Sequence, residues 1–309
     1  MFLDILKIAA GLGLLVVAGD ALVKGAVNLS LKLGIPSLIV GLTVVAFGTS
    51  APELLVSVDA ILDGAPALAL GNVVGSNIAN ILLVLGIPAL IAAVPVSRAL
   101  LHDFLVMMAA TLFFLALAFL GPLRWPHGLA LLAGLALMLW SSYSRARAHH
   151  GSDPDLDGAD PDTSGAKIAL FLVGGIVGLP LGANLLVGGA MNVATALGVS
   201  EAVIGLTLVA VGTSLPELAT TVAAALRRQA GVAMGNVIGS NIFNLLGIIG
   251  ISSLIGRIPV PPSMLHVDLW VMAATSALLG AFVLAGRSIG RLAGAGLIAL
   301  YALYLVQMF

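Results

Sequence analysis

The sequence predicts an all-α membrane protein of ten transmembrane helices, arranged as two inverted five-helix repeats. Three observations predict it. The composition is 60% hydrophobic and only 9% charged, several apolar runs reach bilayer length, and the second half of the chain repeats the first at one fixed offset. A soluble domain carries about 25% charged residues, and a water-exposed surface cannot be built from so few. Leu100 to Leu120 is interrupted only by His102 and Asp103 near its start, and reaches the roughly 20 residues that cross a hydrocarbon core. Lipid offers the backbone no hydrogen bonds, so spans are helices or closed barrels. Continuous apolar runs without strand-like alternation select helices. Glycine is abundant, 37 of 309 residues, and small residues let membrane helices approach closely.

The first five spans are expected near 3–24, 36–59, 67–92, 100–120 and 127–146, and the second five near 167–193, 201–226, 231–255, 264–286 and 290–309. The N-terminus lacks the basic region and small-residue cleavage site of a signal peptide, and is read as part of the first span. One long polar segment, Arg145 to Lys167, holds His149 and His150 and a run of Asp, Gly, Pro and Ser. It reads as a flexible loop joining a first repeat, 1–144, to a second, 167–309, with 145–166 as linker. With the N-terminus outside, ten basic residues fall inside: Lys24, Lys32, Arg98, Arg145, Arg147, Lys167, Arg227, Arg228, Arg287 and Arg291. Three, Lys7, Arg124 and Arg257, fall outside. The excess of Lys and Arg on cytoplasmic loops then puts both termini outside the inner (plasma) membrane and the linker in the cytoplasm. The net charge of -1 gives no sign of nucleic acid, and the absence of Cys removes disulfides and thiolate metal sites. Nothing implies a protein partner or a cofactor.

The repeat has an offset of 164 residues. Gly41 to Glu53 matches Gly205 to Glu217 at ten of 13 positions, and Gly71 to Asn80 matches Gly235 to Asn244 at eight of ten, with no gap between the blocks. The two motif regions are 41–82 and 205–246. Gly25 with Gly189, Asn28 with Asn192 and Gly34 with Gly198 extend the match upstream. Five spans per half is an odd number, so the second half enters the membrane from the opposite side. Transporters with such repeats bind their substrate near the midplane, where the halves meet.

Glu53 and Glu217 occupy the same position in each repeat, deep within apolar spans. An ionisable group there costs about 2.5–3.5 kcal/mol on insertion scales and is a functional candidate. Helical spacing places Thr49 and Ser50 on the face of Glu53, and Thr213 and Ser214 on the face of Glu217. Ser76 with Asn80, and Ser240 with Asn244, are further pairs four apart. Hard cations such as Ca2+ take six to eight oxygen ligands, and no His or Cys in these blocks favours Zn2+ or Cu+. Pro52 and Pro216 each precede a Glu. Proline removes a helical donor and clashes with the carbonyl four residues back, here that of Gly48 and of Gly212. The helices are expected to break there, freeing carbonyls of Ala46, Phe47, Ala210 and Val211. Asn72, Asn77, Asn236 and Asn241 read equally as ligands or as interhelical struts. Two carboxylates balance one Ca2+ or two Na+, so the site fills with one ion set or the other.

Gly-Thr-Ser-Ala-Pro-Glu followed by Gly-Asn-Val-Val-Gly-Ser-Asn-Ile-Ala-Asn, with its second copy, resembles the two repeats of the cation/calcium exchanger superfamily, and most closely prokaryotic sodium/calcium exchangers. The resemblance implies antiport of Na+ against Ca2+ across a lipid bilayer, with cation sites clustered at mid-membrane. Carried over by position, it implies ligands at Ala46, Thr49, Ser50, Glu53, Ser76, Asn80, Ala210, Thr213, Ser214, Glu217, Ser240 and Asn244. Several relatives, the potassium-dependent ones among them, carry Asp where this chain has Asn244, which speaks against K+ co-transport. Exchange is electrogenic if more than two Na+ move per Ca2+. Exchange of H+ for Ca2+, or of another cation, on the same scaffold is the alternative. The proton/calcium branch carries a Glu near Ser76-Asn77 that this chain lacks. An intramembrane hydrolase is disfavoured because no His or Lys base lies beside either Ser.

Overall fold

In the computed structural model, which describes residues 1–148, 160–198 and 210–307, the chain is helical. We number the helices α1 (Phe2–Leu33), α2 (Ser37–Thr49), α3 (Ala51–Leu62), α4 (Pro66–Ile91), α5 (Arg98–Phe119), α6 (Trp125–Ala148), α7 (Gly165–Ala196), α8 (Leu215–Leu226), α9 (Ala230–Ile255), α10 (Met264–Ala285) and α11 (Arg291–Gln307). Among the described residues, seven helices are long and apolar enough to cross a membrane. The pair α2 and α3 passes the same test together but bends by 43° at its break. The shorter apolar helices are α8 and α11. The first part of the seventh expected span lies outside the described residues, as do His149 and His150. The expected loop from Arg145 to Lys167 is shorter than its composition suggested. Arg145 to Ala148 continue α6, and α7 starts at Gly165, where the Ser164 hydroxyl accepts from the Lys167 N–H. Arg145 is held in the helix by an ion pair with the buried carboxylate of Asp103 on α5.

The long helices α1 and α7 have 32 residues each, about 48 Å at 1.5 Å per residue, longer than the roughly 30 Å hydrocarbon core. They pack against each other through glycines. A Cβ on Gly11 would sit 2.7 Å from the Gly182 carbonyl oxygen, one on Gly25 2.8 Å from Leu172, one on Gly175 2.6 Å from Leu22, and one on Gly189 2.7 Å from the Asp4 carbonyl oxygen. Contacts that climb one helix while descending the other mean the two run antiparallel. They are also each other's repeat equivalents.

The α2 and α9 helices run parallel and closer still. Gly231, Gly235 and Gly239, four residues apart on α9, meet Ser37, Leu38 and Leu42 in ascending order. Any side chain at Gly239 would place its Cβ 2.5 Å from the Leu42 carbonyl oxygen. Backbones in such contact gain packing that lipid cannot supply. The α4 and α9 helices are the innermost, 72% and 83% buried, against 22% for α1 and α6. The outer faces carry Val16, Val17, Leu112, Leu137, Leu170, Val173 and Leu303 exposed, with Trp125, Trp140 and Trp270. An apolar surface with tryptophans is the one a bilayer solvates. Two antiparallel bridges tie the connections at the ends of the bundle, Val94 to Ile289 and Leu123 to Ile258.

The α2–α9 contact gives a test. Gly239→Val is expected to cost about 1–3 kcal/mol by overpacking and to lower the melting temperature of the purified protein in detergent. Gly174→Ala, with open space at its Cβ, is expected to leave it unchanged or slightly higher. Equal melting temperatures for Gly239→Val and wild type would contradict the contact.

Candidate functional site

The site forms where the breaks before α3 and α8 face α4 and α9. The sequence placed the breaks at Gly48 and Gly212, but they fall two residues later. Ser50 has φ -84° and ψ 5°, and Ser214 has φ -85° and ψ 3°. Proline is tolerated in the first turn of a helix, where its missing N–H has no partner anyway. Pro52 and Pro216 therefore start α3 and α8 instead of kinking a continuous helix. Two of the four carbonyls expected to be free are engaged. The Ala46 oxygen accepts from the Ser50 N–H at 3.0 Å and the Thr49 hydroxyl at 3.3 Å, and the Val211 oxygen accepts from the Ser214 N–H at 3.1 Å. Ala210 opens a single helical turn to Gly212. Each break puts its Glu in the first turn of the following helix, where unpaired N–H groups and the helix dipole favour negative charge.

Glu53 and Glu217 are fully buried, and Thr49, Ser50, Ser76, Asn80, Ser214, Ser240 and Asn244 are buried as well. The two repeats meet here directly: the Ser50 hydroxyl of the first donates to Glu217 Oε1 of the second at 3.0 Å. Thr49 donates to Asn236 Oδ1 at 3.0 Å and lies 3.5 Å from the Ser240 hydroxyl.

Buried polar atoms are nearly always hydrogen-bonded, yet eight oxygens of the sequence-predicted set have no partner among the described residues. They are both carboxylate oxygens of Glu53, Glu217 Oε2, the hydroxyls of Ser76, Thr213 and Ser214, and the Oδ1 atoms of Asn80 and Asn244. All are acceptors, or hydroxyls able to act as acceptors. Oxygen acceptors of this kind suit a hard cation.

The four ambiguous asparagines all brace neighbouring helices through Nδ2. Asn72 Nδ2 donates to the Glu53 carbonyl at 3.2 Å and to the Ser57 hydroxyl at 3.1 Å. Asn236 Nδ2 does the same to the Glu217 carbonyl at 3.3 Å and the Thr221 hydroxyl at 3.1 Å. Asn77 Nδ2 donates to the Asn241 carbonyl at 3.3 Å, and Asn241 Nδ2 to the Asn77 carbonyl at 3.4 Å. Ser57 and Thr221 were missed in the sequence. The signal was present, since each is a hydroxyl one turn after its Glu and the two are 164 residues apart.

A helical bundle with two buried carboxylates among unpartnered neutral oxygens, and no base beside its serines, defines an ion transporter. The chain belongs to the sodium/calcium exchanger protein family, whose model matches residues 4–144 and 167–309. It is therefore a membrane transporter and not an enzyme. The putative antiporter CaxA of Alkalimonas amylolytica is 38% identical over 90% of this chain and 89% of its own length. The sodium/calcium exchanger MaX1 of Methanosarcina acetivorans is 33% identical over 99% of this chain and 98% of its own. The solved structure of the sodium-calcium exchanger NCX_Mj soaked with zero Na+ and Ca2+ superposes with a TM-score of 0.86 at 34% identity, covering 100% of this chain and 99% of that one.

An unpartnered buried carboxylate destabilises the ion-free protein. Glu53→Gln is thus expected to raise the melting temperature in Na+-free, Ca2+-free detergent by a few degrees. Asn236→Ala, which strips three hydrogen bonds from the interior, is expected to lower it. Thermal unfolding monitored by tryptophan fluorescence checks both, and a destabilised Glu53→Gln would show that the carboxylate has a structural partner.

Proposed function

We propose that this chain is a secondary active antiporter exchanging Na+ for Ca2+ by alternating access. The observation that carries the reading is the coincidence of the eight unpartnered oxygens with the positions that the sequence marked as ligands. Thr49, Ser50, Glu53, Ser76 and Asn80, with Thr213, Ser214, Glu217, Ser240 and Asn244, hold the ions, and the Ala210 carbonyl completes the set; the Ala46 carbonyl joins it only by giving up its bonds from Ser50 and Thr49. Two carboxylates match the charge of one Ca2+ or two Na+, and a third Na+ is accommodated by neutral oxygens. Sodium/calcium exchange named for MaX1 and NCX_Mj supports the same pair of substrates.

Ten spans in two inverted repeats, 1–144 and 167–309, follow if α2 with α3 is one span and α8 is the second part of another. The antiparallel packing of α1 on α7 supports the inversion. Alternating access is supported by an asymmetry within the symmetric motif. Ser50 and Thr49 engage Glu217 and Asn236 of the other repeat. Among the described residues, their equivalents Ser214 and Thr213 have no such partners, and neither has the Glu53 carboxylate. One sequence thus adopts two conformations in the two halves. Exchanging them, with Ser214 turned to Glu53 and Thr213 to Asn72, gives the counterpart state that alternating access requires.

Neutral Asn244 adds no third carboxylate for a further monovalent ion, so exchange runs without K+, and it is electrogenic if more than two Na+ move per Ca2+. Uptake of 45Ca2+ into proteoliposomes, with Na+, K+ or H+ gradients imposed one at a time, tests the coupling. Flux is expected only with Na+, unchanged when choline replaces K+, and lost in Glu53→Gln and Glu217→Gln. An imposed potential is expected to shift it, since each net charge is worth about 2.3 kcal/mol per 100 mV. Flux driven by H+ without Na+ would point to the proton-coupled alternative.

Both termini face the outside of the plasma membrane in this reading, with the 145–166 linker in the cytoplasm. A cavity of about 600 Å³ lined by Ser37, Ser97, Arg145 and Arg228 brings two of the ten inner basic residues together at one end of the bundle. The chain has no Cys, so single cysteines introduced at the exposed Arg257 and Arg287 report the two sides separately. An impermeant maleimide applied to whole cells is expected to label Arg257→Cys and spare Arg287→Cys. The reverse pattern would invert the topology.

A further inference from the structure

We propose that Asn77 and Asn241 are positioning residues, each aiming the side-chain oxygen of the other repeat's site asparagine at the ions. The proposal rests on the reading that Asn80 and Asn244 face the cations, and goes beyond it by asking what turns their oxygens, and not their amino groups, toward the site.

An amide side chain has one end that accepts and one that donates, and the ends are of nearly equal size. A cation is attracted by the first and repelled by the second. Asn244 Nδ2 donates to Asn77 Oδ1 at 3.0 Å, and Asn80 Nδ2 donates to Asn241 Oδ1 at 3.1 Å. The donating end of each site asparagine is thereby held away from its Oδ1, which is left without a partner among the described residues. The orientation of Asn77 and Asn241 is fixed in turn by a group that cannot rotate. Asn77 Nδ2 donates to the main-chain carbonyl of Asn241, and Asn241 Nδ2 to that of Asn77. Flipping the Asn77 amide would set its oxygen against that carbonyl and its Nδ2 against the Nδ2 of Asn244. Two favourable contacts would become two repulsive ones. Polarity therefore runs in one direction, from a main-chain oxygen through Asn77 to Asn244, and by the second copy through Asn241 to Asn80.

Both chains cross between α4 and α9, so each repeat orients a ligand of the other. All four amides are at most 1% exposed, and water cannot substitute for a missing link. The Sδ atoms of Met272 and Met107 lie 3.9 and 3.8 Å from Nδ2 of Asn77 and Asn241. Sulphur is a weak acceptor and does not compete with the carbonyls. The network also suits an amide at 244 in particular: an aspartate there would press a carboxylate oxygen against Asn77 Oδ1.

The test is a double-mutant cycle read as the half-saturating Ca2+ for Na+-driven flux and as Ca2+-dependent thermal stabilisation. The variants are Asn77→Ala, Asn244→Ala and the double variant, with Asn241→Ala and Asn80→Ala as an independent second cycle should the first destabilise the protein. Asn77→Ala is expected to raise the half-saturating Ca2+ about tenfold, the size of one lost charge-assisted contact, with maximal flux much less affected. The double variant is expected to be no worse than Asn244→Ala, because Asn77 acts through it. Effects that multiply in both cycles, or an Asn77→Ala protein with wild-type Ca2+ dependence, would overturn the proposal while leaving the exchange reading intact. A wild-type protein that neither transports Ca2+ nor is stabilised by it would sink the exchange reading and this proposal together.

Discussion

Two carboxylates held inside a hydrocarbon-solvated bundle set the terms for the rest of the molecule. A charge there is tolerated only with compensation, and among the described residues no basic side chain forms an ion pair with Glu53 or Glu217. Each carboxylate sits in the first turn of a helix that starts inside the bundle, at a break made by Ser50 or Ser214. The helix dipole then favours the charge, and Ser50 donates to Glu217. Had an arginine paired with either Glu, one of the two negative charges would be cancelled and the match to one Ca2+ or two Na+ lost. The buried carboxylate that does have such a partner, Asp103 with Arg145, joins α5 to α6.

Starting a helix in mid-membrane creates a second demand, because main-chain groups at the break need partners where water is scarce. Short-range contacts meet it. Ser50 and Ser214 N–H groups turn back to Ala46 and Val211, and Asn72 and Asn236 reach across from α4 and α9 to the carbonyls of the two Glu residues. That reach requires α4 and α9 to lie close to the breaks. The glycines at 231, 235 and 239 bring α9 against α2 backbone to backbone, where Thr49 donates to Asn236. Glycine spacing, asparagine struts and carboxylate placement are thus consequences of one requirement.

The remaining feature is asymmetry. The struts of the two repeats match residue for residue, Asn72 on Ser57 and Asn236 on Thr221. The hydroxyls that face the carboxylates do not match: Ser50 is engaged and Ser214 is not. The struts keep the repeat symmetry, and the hydroxyls beside the carboxylates depart from it. An exchanger needs that division, because the scaffold must survive a change of state that the site itself undergoes.

The sequence by itself determined the helical membrane fold and the two related halves, and it marked the two glutamates that the fold buries. Hydropathy is additive along the chain, and a duplicated Gly-Thr-Ser-x-Pro-Glu needs no coordinates to be found. It misjudged where local geometry depends on alternatives of similar energy. Proline at 52 and 216 suggested a kink at the glycines four residues back, whereas the chain placed each proline in a first turn and broke at the preceding serine. The Ala46 and Val211 carbonyls, expected free, accept from Ser50 and Ser214. The Arg145 end of the expected loop is helix, stabilised by a carboxylate 42 residues away. Whether Asn72, Asn77, Asn236 and Asn241 were ligands or struts was open in the sequence, because an amide both donates and accepts. Only the tertiary structure decided it, by setting each Nδ2 against a main-chain carbonyl of another helix, and the positions of those carbonyls are fixed by packing that no local pattern encodes.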